Sequence, residues 1–90
     1  MLSHNTGALT VLACQASVPR VQTAADRDTH VLALCARIRQ YLNRTPAVDL
    51  IVLPELCTIE YSTGAFSHLD SLAEPIDGPS TQAFSHLAQQ

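Results

Sequence analysis

Apolar residues run almost without interruption through residues 8–16, ALTVLACQA, where Thr10 and Gln15 are the polar exceptions. A continuous apolar run of this kind predicts a strand buried on both faces, as in a parallel sheet covered by helices. Residues 17–20 contain Pro19 and read as a loop. From about residue 24 to residue 44 the period changes. Val31, Leu34, Cys35, Ile38 and Leu42 follow a helical spacing, while Arg37, Arg39, Gln40 and Arg44 fall largely on other faces. Asp26 and Asp28 near the start of this segment and arginines near its end have the polarity that a helix macrodipole favours. Thr45-Pro46 predicts its end, because a residue preceding proline is biased away from helical geometry.

Residues 49–53, DLIVL, form a second short apolar run bounded by Pro46 and Pro54, and predict another buried strand. Strand, long helix and strand make a βαβ unit, which places the chain in the α/β class with a parallel sheet. Residues 58–79 contain Gly64, Pro75, Gly78 and Pro79 and show no sustained period. They predict a long loop with one helical turn around residues 66–72. Gly78-Pro79-Ser80 has the character of a helix start, and Ala83, Phe84, Leu87 and Ala88 supply its apolar stripe. No glycine or asparagine stop signal follows, so the chain is expected to end inside this helix. No internal repeat or low-complexity tract is present.

Composition narrows the class. With 47% hydrophobic and 14% charged residues the 90-residue chain reads as one small packed domain rather than a disordered segment. The expected division is a flexible amino terminus over residues 1–7 and a partial domain over residues 8–90. The formal charge of −3, with no basic block and only two tyrosines and two phenylalanines, argues against nucleic acid as a partner. No apolar run reaches the length of a membrane span and the start lacks the charged region of a signal peptide, so no membrane association and a cytoplasmic location are expected. The three cysteines, Cys14, Cys35 and Cys57, lack the paired spacing of a zinc site and predict reduced, buried thiols, with no metal and no cofactor. All five basic residues are arginine; the chain contains no lysine.

The candidate chemistry lies just past the second strand. In an open α/β sheet, ligands sit beyond the carboxyl ends of the strands, and Glu55 falls two residues past the predicted end at Leu53. A carboxylate flanked by Leu53, Pro54 and Leu56 is expected to be desolvated and to suit a general base. Position alone leaves open an acid that caps a loop or pairs with an arginine.

DLIVLPEL, preceded by VLACQ and followed by AEPIDGPSTQAFSHLAQ, resembles the amino-terminal part of the carbon-nitrogen hydrolase (nitrilase and amidase) superfamily over residues 9–90. Three separated segments agree in order and spacing. The resemblance implies an αββα sandwich of which this chain holds the βαβ amino-terminal part, and so an incomplete domain. It also implies a homo-oligomeric parent that cleaves an amide or nitrile small-molecule substrate through a Glu-Lys-Cys set. Glu55 is the one position here that matches that set. The family lysine cannot lie within these residues, and the nucleophile is expected on a later strand. Cys14 and Cys35 precede Glu55, and Cys57 follows it too closely, so core or loop thiols are the alternative for all three. Where many members carry Gly-Tyr after Pro-Glu-Leu, this chain has Glu60-Tyr61, which puts the local loop conformation in question. Tyr61 is a candidate for lining the substrate pocket, with packing over the strand end as the plainer alternative. His30, His68 and His86 have no partner at ligand spacing and read as surface or satisfied histidines.

Two further classes compete. A capped last helix and polar substitutions on the sheet faces would favour a non-catalytic βαβ remnant acting as a partner-binding module, and the sequence shows neither. A nucleotide-binding half-domain would need a glycine-rich turn after the first strand, and CQASVPRVQ contains no glycine.

Overall fold

Two three-residue strands and one long helix carry the architecture of the computed structural model, which describes residues 7–45 and 47–89. The elements run β1 (Val11–Ala13), α1 (Ala24–Arg44), β2 (Leu50–Val52), α2 (Thr63–Phe66), α3 (Leu69–Leu72) and α4 (Pro79–Ala88). The α/β class follows directly. Apart from Gly7, the expected amino-terminal segment 1–7 lies outside the described residues, as do Pro46 and Gln90.

Helix α1 begins where Thr23 and Asp26 satisfy each other. The Thr23 hydroxyl accepts from the Asp26 N–H at 3.1 Å, and the Asp26 carboxylate accepts from the Thr23 and Gln22 N–H groups, each at 3.2 Å. This reciprocal cap fixes the first turn. The helix ends at Thr45, whose extended backbone (φ −121°, ψ 98°) is the geometry expected of a residue before proline. Its buried stripe is Val31, Leu34, Cys35 and Ile38, as the spacing predicts.

A parallel strand pair needs a long crossover, and α1 supplies it. The register sets Val11 opposite Leu50, Leu12 opposite Ile51 and Ala13 opposite Val52. It is extended at one end by the Cys14 N–H donating to the Val52 carbonyl at 2.9 Å. At the other end the Asp49 N–H donates to the Thr10 carbonyl at 2.9 Å, and the Asp49 carboxylate accepts the Thr10 N–H at 3.0 Å. The strands are shorter than the apolar runs that contain them.

Side chains alternate across a strand, so the register separates two faces. Leu12 and Ile51, with Cys14 and Leu53, pack against Val31, Leu34, Cys35 and Ile38 of α1 and Leu87 of α4. The opposite face is open among the described residues: Val11, Leu50 and Val52 are 49%, 49% and 46% exposed. This corrects the expectation of strands buried on both faces. Both α1 and α4 lie on the Leu12–Ile51 side, and no described element covers the other.

The predicted loop also differs from what was expected. Instead of one turn around residues 66–72, two short helices occur, the first capped by the Ser62 hydroxyl accepting from the Ala65 N–H at 3.0 Å. Ala65 and Leu72 join Val21 in a second small core. A buried arginine joins these pieces. Arg27 is 4% exposed, and its guanidinium donates to the Leu72 carbonyl at 2.6 Å and lies 2.9 Å from the Asp28 carboxylate and 3.4 Å from that of Glu74. Glu74 in turn accepts the Ser80 N–H at 2.7 Å, capping the start of α4 where Gly78 has no side chain to do so. The turn packs closely on Gly78: a Cβ there would stand 3.0 Å from both the Pro75 carbonyl oxygen and the Glu74 Cβ, so a larger residue would need these neighbours to shift.

Two outcomes are expected. Arg27→Met keeps the aliphatic bulk but leaves Glu74 and the Leu72 carbonyl without their partner, so it should lower unfolding free energy by about 3 kcal/mol in urea titration. A loss below about 1 kcal/mol would show that the junction does not depend on the guanidinium. The open sheet face and free strand edges should make the chain self-associate in sedimentation. Leu50→Thr with Val52→Thr should move it toward monomer, whereas a monomeric, cooperatively melting wild type would contradict the importance of that face.

Candidate functional site

β2 ends at Val52, and Glu55 follows three residues later, one residue farther from the strand end than the apolar run implies. Leu53 has turned into the core with α1, and Pro54 and Leu56 are half-buried. Glu55 itself is exposed. The apolar neighbours in sequence therefore do not enclose it, and the dry surroundings expected for this carboxylate are not supplied by the described residues.

Glu55 lines an open depression of about 490 Å³ together with Val18, Pro54, Leu56, Glu60 and Tyr61. Val18 comes from the loop after β1 and the others from the loop after β2, so the depression lies between the two segments leaving the carboxyl ends of the strands. Tyr61 is 76% exposed, with its ring edge-to-face on Phe66 at a centroid distance of 5.5 Å. It stands out in solvent rather than lying over the strand end. Glu55 and Tyr61, the two site residues read from the sequence, thus share one surface.

Glu60 is the member that sequence reasoning did not assign. Its two carboxylate oxygens accept the Val21 N–H at 2.9 and 3.2 Å, across 39 residues of chain. Val21 is fully buried, so its N–H needs an internal partner. Only the departure from Gly-Tyr marked this position in the sequence, and nothing there identified Val21 as its partner.

The thiols are placed differently. Cys57 is half-buried, and its carbonyl oxygen lies 2.7 Å from His30 Nε2. A carbonyl can only accept, so Nε2 carries the proton and His30 is a satisfied histidine. His68 and His86 are exposed. Burial pushes the Cys57 thiol up, against a smaller opposing pull from a backbone hydrogen bond. Burial likewise raises Cys35, which outweighs the lowering influence of Arg39; nearby Cys57 adds a small further rise. A raised thiol is a poor thiolate source at neutral pH, so neither is set up as a nucleophile. All three cysteines are free, but only Cys35 is fully buried; Cys14 and Cys57 are half-buried, which corrects the expectation of three buried thiols. Among the described residues, no group of three or more His, Cys, Asp or Glu side chains is arranged to hold a metal ion.

A second depression of about 340 Å³, lined by Ile38, Ile51, Leu53, Phe84 and Leu87 with Asp49, runs between β2 and α4. Apart from Asp49 its lining is apolar, whereas the Glu55 surface carries two carboxylates and a phenol. That surface can accept a proton at Glu55 and offer an aromatic wall at Tyr61, but it supplies neither an activated nucleophile nor a cation for a developing oxyanion. Comparison with protein-family models, curated proteins and solved structures gave no match to this chain. No helix is long and apolar enough to cross a membrane among the described residues.

Proposed function

We propose that this chain is the amino-terminal part of a carbon-nitrogen hydrolase, and that Glu55 is the general base of a Glu-Lys-Cys set whose lysine and cysteine are supplied from outside these ninety residues. One observation carries the reading most directly: the βαβ unit presents Glu55, solvent-accessible, in the crevice beyond the carboxyl end of β2. The open apolar sheet face also suits a partial αββα sandwich, in which a second sheet would pack about 10 Å away.

The chemistry follows from the roles. Glu55 takes the proton of a cysteine thiol as the thiolate attacks the carbon of an amide or nitrile. A lysine donates to the charge that develops on the tetrahedral intermediate. For an amide, the C–N bond then breaks, the amine leaves with a proton returned from Glu55, and a thioester remains. Glu55 next takes a proton from water as it attacks the thioester, releasing the acid and the thiol. Tyr61 forms a wall of the substrate cleft. The complete enzyme is expected to be cytoplasmic and homo-oligomeric and to use no cofactor.

The open face supports a second reading, a non-catalytic βαβ module that binds a partner through Val11, Leu50 and Val52. Reading the source nucleic acid onward from codon 90 in all three frames separates the two. The hydrolase reading expects a lysine and then a cysteine, each at the end of an apolar strand, and expects no hydrolysis of amides or nitriles above background by the 90-residue chain alone. A stop codon directly after residue 90, with neither residue beyond it, would overturn that reading in favour of the binding module.

A further inference from the structure

We propose that Glu60 is a positioning residue for the Glu55 surface, holding its two walls at a fixed separation through the Val21 backbone. The inference rests on the reading of Glu55 as a base and deepens it, because it states what keeps that carboxylate opposite Val18. The two segments leave β1 and β2 about 4.8 Å apart, the spacing of neighbouring strands. Their last ladder contact is the Cys14 N–H to the Val52 carbonyl. Beyond it, among the described residues, no backbone–backbone hydrogen bond joins residues 15–22 to residues 53–62.

Glu60 rejoins them. Its carboxylate reaches the Val21 N–H, three residues after Val18, and it lies five residues after Glu55 on the opposing segment. Both ends of the tie are anchored. Val21 is buried with Ala65 and Leu72, and Ile59, next to Glu60, packs against the same cluster. On the other side of Glu60, the Tyr61 ring rests on Phe66, and Ser62 caps α2. A carboxylate is a stronger acceptor than a neutral oxygen, and its two oxygens hold this N–H at 2.9 and 3.2 Å. Loss of the side chain would leave a buried donor to find another partner by moving the Val18 wall.

The test uses the full chain, isotope-labelled, with Glu60→Ala, Glu60→Gln and Glu60→Asp. In Glu60→Ala the Val21 amide should exchange with solvent about tenfold faster or more. The Val18 methyl and Glu55 side-chain resonances should shift, while Val31 in the main core does not. Glu60→Gln retains an acceptor oxygen at the same reach and should return Val18 and Glu55 to near their wild-type positions. If Glu60→Ala moves Val31 as well, and so unfolds the chain, Glu60→Asp decides: its shorter arm should displace Val18 and Glu55 where glutamine does not. Unmoved Val18 and Glu55 resonances in Glu60→Ala, or a glutamine variant that behaves like alanine or aspartate, would overturn the proposal. None of these readouts requires turnover, so failure of Glu55 as a base leaves them intact.

Discussion

The parallel pairing of Val11–Ala13 with Leu50–Val52 is the constraint on which the rest of this molecule depends. Three residue pairs are a short ladder, and a two-stranded sheet is not stable on its own. What holds it is the stripe of α1, where Val31, Leu34, Cys35 and Ile38 meet Leu12 and Ile51, with Leu87 of α4 closing the same core. Because the crossover is parallel, both chain segments that leave the carboxyl ends of the strands emerge on one side. That is why Val18 and Glu55, distant in sequence, line one depression.

Away from this core, polar ties organise the chain. Between residues 58 and 77 the fully buried apolar side chains are Ala65 and Leu72, and two carboxylates add polar ties to this thin core. Glu60 joins the two strand-end segments, while Glu74, with Arg27, joins α1 to the start of α4. A carboxylate that accepts a backbone N–H anchors a loop without needing a core around it, at the expense of desolvating its own charge. Of the two carboxylates, only Glu60 lies on the Glu55 surface, and that surface stays open to solvent.

The sequence made α1 legible to its terminal residues, because the 3.6-residue period, the acidic start and Thr45-Pro46 all agree. It also located both strands and the α4 start at Gly78-Pro79. It overstated strand length: the apolar run at residues 8–16 measures where side chains are hydrophobic, whereas the ladder extends only where a partner strand reaches. Burial on both faces was misread for a related reason, since Val11, Leu50 and Val52 have the composition of a two-sided strand but only one side is covered among the described residues. Position and resemblance singled out Glu55 and Tyr61, and the fold sets both on one depression, but the apolar neighbours in sequence gave a false expectation of a dry Glu55. The roles of Glu60 and Arg27 were not legible, because their partners Val21 and Leu72 lie 39 and 45 residues away and are backbone groups, which carry no residue-specific signal.

Glu55 is proposed to move the protons of a hydrolytic reaction. The most direct measurement is amide and nitrile hydrolysis by the protein translated through codon 90 and onward, comparing wild type with Glu55→Gln. Removal of a general base should lower kcat/KM by about 10²- to 10⁴-fold while circular dichroism and thermal unfolding stay unchanged. A glutamine variant retaining activity to within about threefold, a factor too small for the loss of a general base, would contradict the account.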